Sequence, residues 1–141
     1  MTLYDQLQRA FDAEGINGSI VHVFLSLRMH NDTAHLDFQP ASSEREAREW
    51  METEGKRFRE PVAVGRIERD DSPIQLPPPI VNESSESIAG IGDEANIWRG
   101  YGRNTRGVIK FRRGRFIGEV NAPSVEDATV VAKGLASLLN P

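Results

Sequence analysis

From Ile20 to Met29 the chain alternates without a break: Val21, Val23, Leu25, Leu27 and Met29 take one set of positions, and Ile20, His22, Phe24, Ser26 and Arg28 the other. Successive side chains leave opposite faces only in an extended strand, so this stretch is predicted to be β and to lay one apolar face on a core. The polar run His30, Asn31, Asp32 then supplies a turn. Ala34, Leu36 and Phe38 alternate with His35 and Asp37 beyond it, which predicts a second strand folding back as a hairpin. A hairpin of this kind needs another layer to cover its apolar side.

Helical spacing supplies that layer. Leu3, Leu7, Ala10 and Phe11 follow a candidate N-cap at Thr2 and precede Gly15, predicting an amphipathic helix over 3–14 that packs one face inward. After Pro40, Ser43 and Glu46 form a capping-box signature, with Ala47, Trp50, Met51 and Phe58 as the buried stripe. Gly55 is placed to end this helix early and leave Phe58 on a frayed turn. Val62, Val64 and Ile67 suggest a strand after Pro61. Residues 70–87 are acidic and rich in Pro and Ser, the composition of extended surface chain, and Pro77–Pro79 reads as a semi-rigid connector before it reads as a polyproline ligand.

The remaining third repeats the plan. Ile88–Ala95 (IAGIGDEA) reads as a glycine-dependent turn entering a strand near 95–101, and Val108–Arg112 and Phe116–Val120 flank Arg113, Gly114 and Arg115 as a short hairpin. Pro123 closes it, Ser124 with Asp127 resembles a second capping box, and Ala128, Val131, Ala132, Leu135, Leu138 and Leu139 form an apolar stripe. Comparing FQPASSEREA (38–47) with VNAPSVEDA (120–128) suggests two strand-strand-helix halves. Internal duplication and recurrence of common turn chemistry both account for the likeness. The expected fold is α+β: one domain over 1–141, with half one at 1–69, a crossover at 70–87 and half two at 88–141. Its mostly antiparallel sheet carries helices on one face.

Composition narrows the function classes. The chain has 141 residues and no cysteine, which excludes a disulfide scaffold, a thiol nucleophile and a thiolate zinc site. No segment approaches the run of about 18 apolar residues that a membrane span needs, and the first 25 residues do not follow a signal-peptide pattern. Charge is split: residues 1–94 hold 9 basic and 18 acidic side chains, residues 95–141 hold 8 basic and 3 acidic. Arg99, Arg103, Arg106, Lys110, Arg112, Arg113 and Arg115 fall within 17 residues, interleaved with Trp98, Tyr101, Phe111 and Phe116. Cations beside aromatics grip phosphates and stack bases, so Trp98, Arg99, Tyr101, Arg103, Arg106, Lys110, Arg112, Arg113 and Arg115 are the candidate partner-binding residues.

The Ser-capped helix carrying Ala47, the turn Gly90, Gly92, Asp93, Glu94, Ala95, the aromatic strand after it, the Phe111-Arg112-Arg113-Gly114-Arg115 hairpin and a final helix with Leu135 and Leu138 resemble a loose group of uncharacterised bacterial proteins. Many of that group are exported or lipid-anchored, and their folds are similar to the small α/β sandwiches of photosystem accessory subunits. The resemblance spans roughly residues 33–139. It implies an extracytoplasmic place if a leader was removed and a cytoplasmic one otherwise, and it transfers no catalytic residue. The chain departs from the group in showing no leader and no lipid-attachment cysteine.

Sites of chemistry are weaker than the scaffold. Gly90-x-Gly92 mimics part of a dinucleotide fingerprint, but β rather than helix is predicted after it. Asp93 and Glu94 are adjacent, so on a strand they face opposite ways and are expected to hydrogen-bond the turn. His22, His30 and His35 with Asp32 and Asp37 include residues a hairpin brings close, but a cross-strand polar pair is the commoner outcome. Ser19, Ser26, Ser42, Ser43 and Ser124 include expected caps, and none has a histidine beside it in sequence. No cofactor or metal is assigned.

A non-catalytic binding domain is therefore the expectation, its partner an unknown protein or an anionic ligand, with a homodimer as a further option. Nucleic acid is the less favoured alternative because the chain is acidic overall, and a small-ligand pocket or enzyme is the third. Two plainer readings compete for the cations: a solvent-facing strand row, or pairing with the acidic helix bearing Glu44, Glu46, Glu49, Glu52 and Glu54.

Overall fold

The alternation beginning at Ile20 becomes β1 (Val23–Met29), which turns through His30 and Asn31 into β2 (Asp32–Pro40). We describe the protein from a computed structural model covering residues 2–59, 81–82, 85–99 and 106–139. His30 takes a left-handed φ of 56°, which lets so short a loop reverse the chain. Before the hairpin, α1 (Leu3–Ala13) starts at Thr2, whose side chain accepts from the Asp5 N–H while Asp5 accepts from the Thr2 N–H, a reciprocal capping box.

Beyond β2 come α2 (Glu44–Thr53), a two-residue pair of β3 (Phe58–Arg59) and β4 (Val81–Asn82), then β5 (Glu86–Ile88), β6 (Glu94–Arg99), β7 (Gly107–Arg113), β8 (Phe116–Ala122) and α3 (Val125–Leu138). Six strands form one antiparallel sheet in the order β1-β2-β8-β7-β6-β5, so the hairpin predicted at the C-terminal third inserts next to β2.

The register sorts the side chains into two faces. Leu25, Leu36, Val120, Ile109 and Ile97 stand in one row, and Val23, Phe38, Gly118, Phe111 and Ala95 in the next. α3 lies over this face. Ala128, Ala132 and Ala136 let its backbone approach β7 and β8, while Val131, Leu135 and Leu139 fill the space beside them, each burial contributing roughly 1.5–3 kcal/mol for the larger side chains. Phe111 fits because Gly118 opposite it has no side chain: a Cβ there would lie 2.5 Å from the ring.

Several expectations need correction. Of the two leucines expected at the end of the α3 stripe, Leu139 is fully buried and Leu138 is 54% exposed. At 100° per residue Leu139 lies about 20° round the helix from Ala128, and Leu138 about 80°. α1 buries no residue completely; Leu3 and Tyr4 pack against the core, whereas Phe11 is exposed. Phe58 starts β3 instead of extending the α2 stripe, because the chain leaves the helix at Glu54 and Gly55. Glu86 and Ser87, expected in the connector, pair with Ile97 and Asn96. The strand predicted at Val62, Val64 and Ile67, most of the 70–87 connector and the Pro77–Pro79 run lie outside the described residues.

The helices do not share one face. Lys110 and Arg112 point away from the α3 side, and both meet α2 or the turn after it. α2 therefore covers the second face, through Ala47 and Met51, both buried. A two-fold axis between β2 and β8 would place α2 and α3 on the same side, so no such axis relates the two halves. Their connections differ accordingly: two residues separate Pro40 from the cap Ser43, and none separates Pro123 from the cap Ser124.

Candidate functional site

The basic stretch is largely engaged by its own chain. Arg112, on the face covered by α2, is only 5% exposed. Its Nε donates to Glu94 Oε2 at 2.9 Å and its Nη1 to the Gly114 carbonyl at 2.9 Å and Asp93 Oδ2 at 3.3 Å, with Glu44 Oε1 at 3.5 Å. Asp93 also accepts from Arg113 Nη1 at 3.1 Å and from the Gly114 N–H at 2.7 Å. Both Asp93 and Glu94 thus serve one guanidinium. Strand alternation does not separate them because Asp93 precedes β6, in a turn where Gly92 holds φ at 57° against the Arg112 carbonyl. Of the acidic residues on α2, Glu44 is the one whose carboxylate reaches Arg112.

The other candidates are dispersed. Trp98 is 2% exposed on β6, with Lys110 Nζ 5.2 Å above its ring and 5.9 Å from that of Trp50. Lys110 donates to the Glu54 carbonyl at 3.2 Å and to that of Arg57. Arg106 donates to Asn121 Oδ1 at 2.7 Å and the Thr33 carbonyl at 2.8 Å, and meets Asp32 at 3.1 Å. Arg99 pairs with Glu86 at 3.1 Å, and Arg115 lies 5.4 Å from the Tyr4 ring and 5.3 Å from that of Phe116. Tyr101 and Arg103 lie outside the described residues. Neither Arg112 nor Lys110 belongs to a wet charge row, because α2 and the turn after it occupy that side of β7.

A polar row crosses the same face: Phe24, Asp37, Glu119, Lys110, Asn96 and Ser87 are successive register partners. Burial pushes both Asp37 and Glu119 above the usual carboxylate range; Asp37 adds to the rise at Glu119, His22 and then Lys110 oppose it at Asp37, and Lys110 opposes it at Glu119. His22 Nε2 sits 3.6 Å from Asp37 Oδ1, buried and without a hydrogen-bond partner in the structure, and its ring stacks on Phe24 at 4.0 Å. His30 lies instead 3.6 Å from Asp127. Among the described residues no group of three or more His, Asp or Glu is placed to hold a metal ion. Ser26 faces His35 across the hairpin and His35 faces Asn121, but Asn121 Oδ1 is taken by Arg106 and no hydrogen bond links Ser26 to His35 among those described.

Apolar exposure concentrates elsewhere. Six of the eight large apolar side chains exposed among the described residues lie on α1, the loop after it and β1: Phe11, Ile16, Val21, Phe24, Leu25 and Leu27. α3 covers β7 and β8, leaving Leu25 and Leu27 each 45% exposed at the sheet edge. Gln8 holds the loop in place, donating to the Gly18 carbonyl at 2.8 Å and accepting from the Ile20 N–H at 3.1 Å. Between this loop, α1 and the start of β1 lies an open apolar groove of about 520 Å³, lined by Leu7, Phe11, Ile16, Ile20, Val23 and Phe24 among others.

Two of these features were missed in the sequence. Glu119 is one polar position in an alternating strand, and only the β2–β8 register sets it against Asp37. The apolar character of both faces of β1 is visible in Phe24 beside Leu25, but its position at an edge is not. Comparison of the chain with family models, curated proteins and solved structures returned no match. Among the described residues no helix is long and apolar enough to cross a membrane.

Proposed function

We propose that this protein is a non-catalytic binding domain that joins another polypeptide through the surface formed by α1, the 14–22 loop and the β1 edge. The observation that carries it is the gathering of six large exposed apolar side chains on α1, the loop and β1, three of them lining the groove, beside a sheet edge that has no neighbouring strand among the described residues. Contiguous apolar surface of this kind marks interaction sites, whereas scattered single residues do not. The engagement of Arg106, Lys110 and Arg112 inside the chain favours a protein partner over nucleic acid or another polyanion, because cations already committed to carboxylates and carbonyls are poor counterions for phosphate.

The double variant Phe24→Asp with Leu27→Asp tests this. Both side chains face solvent in the free chain, so the variant is expected to keep the native circular dichroism spectrum and a cooperative melt. A variant that fails to fold means the surface is packed within the chain and ends the proposal.

A further inference from the structure

We infer that the polypeptide bound at this surface is a second copy of the chain, joined β1 to β1 in antiparallel register about Ser26. This rests on the α1/β1 surface being a docking site at all. The two edges of the sheet are built differently. β5 is three residues long and carries Glu86, a short charged edge of the kind that resists pairing. β1 is seven residues long, contains no Pro or Gly, runs against β2 without a bulge from Val23–Phe38 to Met29–Asp32, and carries one charge, Arg28. Among the described residues β2 is its one neighbour, and an edge of this kind leaves a row of backbone donors and acceptors open to another strand.

The sequence of β1 is complementary to itself. With Ser26 opposite Ser26 of the second copy, Leu25 faces Leu27, Phe24 faces Arg28 and Val23 faces Met29, each pair formed twice by the symmetry. All seven residues are then paired. Leu25 and Leu27 complete each other's cover on the α3 side, and on the other side a guanidinium meets an aromatic ring, a favourable cross-strand pair. A slip of one residue would set the apolar face of one sheet against the polar face of the other. A slip that brought Arg28 opposite Arg28 would oppose like charges and leave Val23, Phe24, Leu25 and Ser26 without partners in β1. Register and groove also agree. The residue facing Val23 is Met29 of the second copy; each is half-buried against its own core, and Val23 also lines the groove, so the pair carries the apolar row to the groove's rim.

Size exclusion with light scattering at micromolar concentration is expected to return twice the 15.7 kDa chain mass, and Phe24→Asp with Leu27→Asp to return the single mass. The chain has no cysteine, so register can be read by single substitutions. Ser26→Cys should oxidise to a covalent dimer. Leu25→Cys should not, because its copies are offset by two residues, about 7 Å along the strand in addition to the strand spacing, beyond disulfide reach. Leu25→Cys with Leu27→Cys should crosslink again. A monomeric wild-type chain, or equal crosslinking of Ser26→Cys and Leu25→Cys, overturns the self-pairing. A monomeric wild type removes the second copy as the occupant, whereas a double Asp variant that fails to fold removes the docking surface itself, so the two failures are distinguishable.

Discussion

Asp37 stands directly opposite Glu119 in the β2–β8 pairing, and burial drives both carboxyls toward the protonated form. Two acids facing each other across a sheet are a stability cost, which His22 beside Asp37 and Lys110 next in the row partly offset.

A pH dependence follows. A carboxyl whose folded pKa is raised binds more protons in the native than in the unfolded state, so its contribution is full below the unfolded values of 3.8 and 4.5 and is lost as pH rises through the folded ones. Glu119→Gln should raise the melting temperature at pH 7, by about 3 °C if the relief is near 1 kcal/mol. That gain should shrink as pH falls through the carboxylate range and vanish once Glu119 is neutral in both states. A thermal melt series across pH checks this, and a gain that is constant with pH would show that Glu119 is ionised without penalty.

Arg112 should be structural rather than a free contact. Arg112→Ala removes the partner of Glu94 and Asp93 and the donor to the Gly114 carbonyl, and should cost about 3 kcal/mol, at the low end for a buried pair because both carboxylates are partly hydrated. Arg115→Ala, on the hairpin tip, should cost less than about 1 kcal/mol. Urea denaturation separates the two; equal midpoints would contradict the buried network.

Gly118 makes room for Phe111, so Gly118→Ala should destabilise by about 1–3 kcal/mol through overpacking. Adding Phe111→Leu should recover part of that loss, because the two positions touch and their effects do not add. Strict additivity in chemical denaturation would argue against the contact.

The N-caps can be tested independently. Ser124 accepts from the Asp127 N–H at 3.0 Å and Ser43 from the Glu46 N–H at 3.1 Å. Replacing either by Ala should cost about 1 kcal/mol, and Asp at the same positions should restore most of it. Melting temperatures of the four variants decide the matter.

How much of this was legible depended on the range of the interaction involved. Ser43, Ser124 and Thr2 were readable as caps because a cap is satisfied within three residues. Phe58 was misplaced because its strand partner, Asn82, is far along the chain. Leu138 and Leu139 are both apolar neighbours at a helix end, and the direction from which the sheet approaches decides between them. The candidate cations were visible as a cluster in sequence, but their partners Glu94, Glu44, Asn121 and the Glu54 carbonyl come from four separate elements or turns.

By itself, the order of residues determined the three helices with their N-caps, the β1–β2 and β7–β8 hairpins, and the alternation that gives each strand two faces. Those are properties of φ/ψ preference, side-chain period and capping, all settled over a few residues. The tertiary structure alone decided that β8 lies beside β2, that α2 and α3 take opposite faces, that Asp37 meets Glu119, and that β1 rather than a buried strand is left at the edge. Each of those depends on which distant surfaces remove most apolar area from water together, a sum over the whole chain that no local pattern contains.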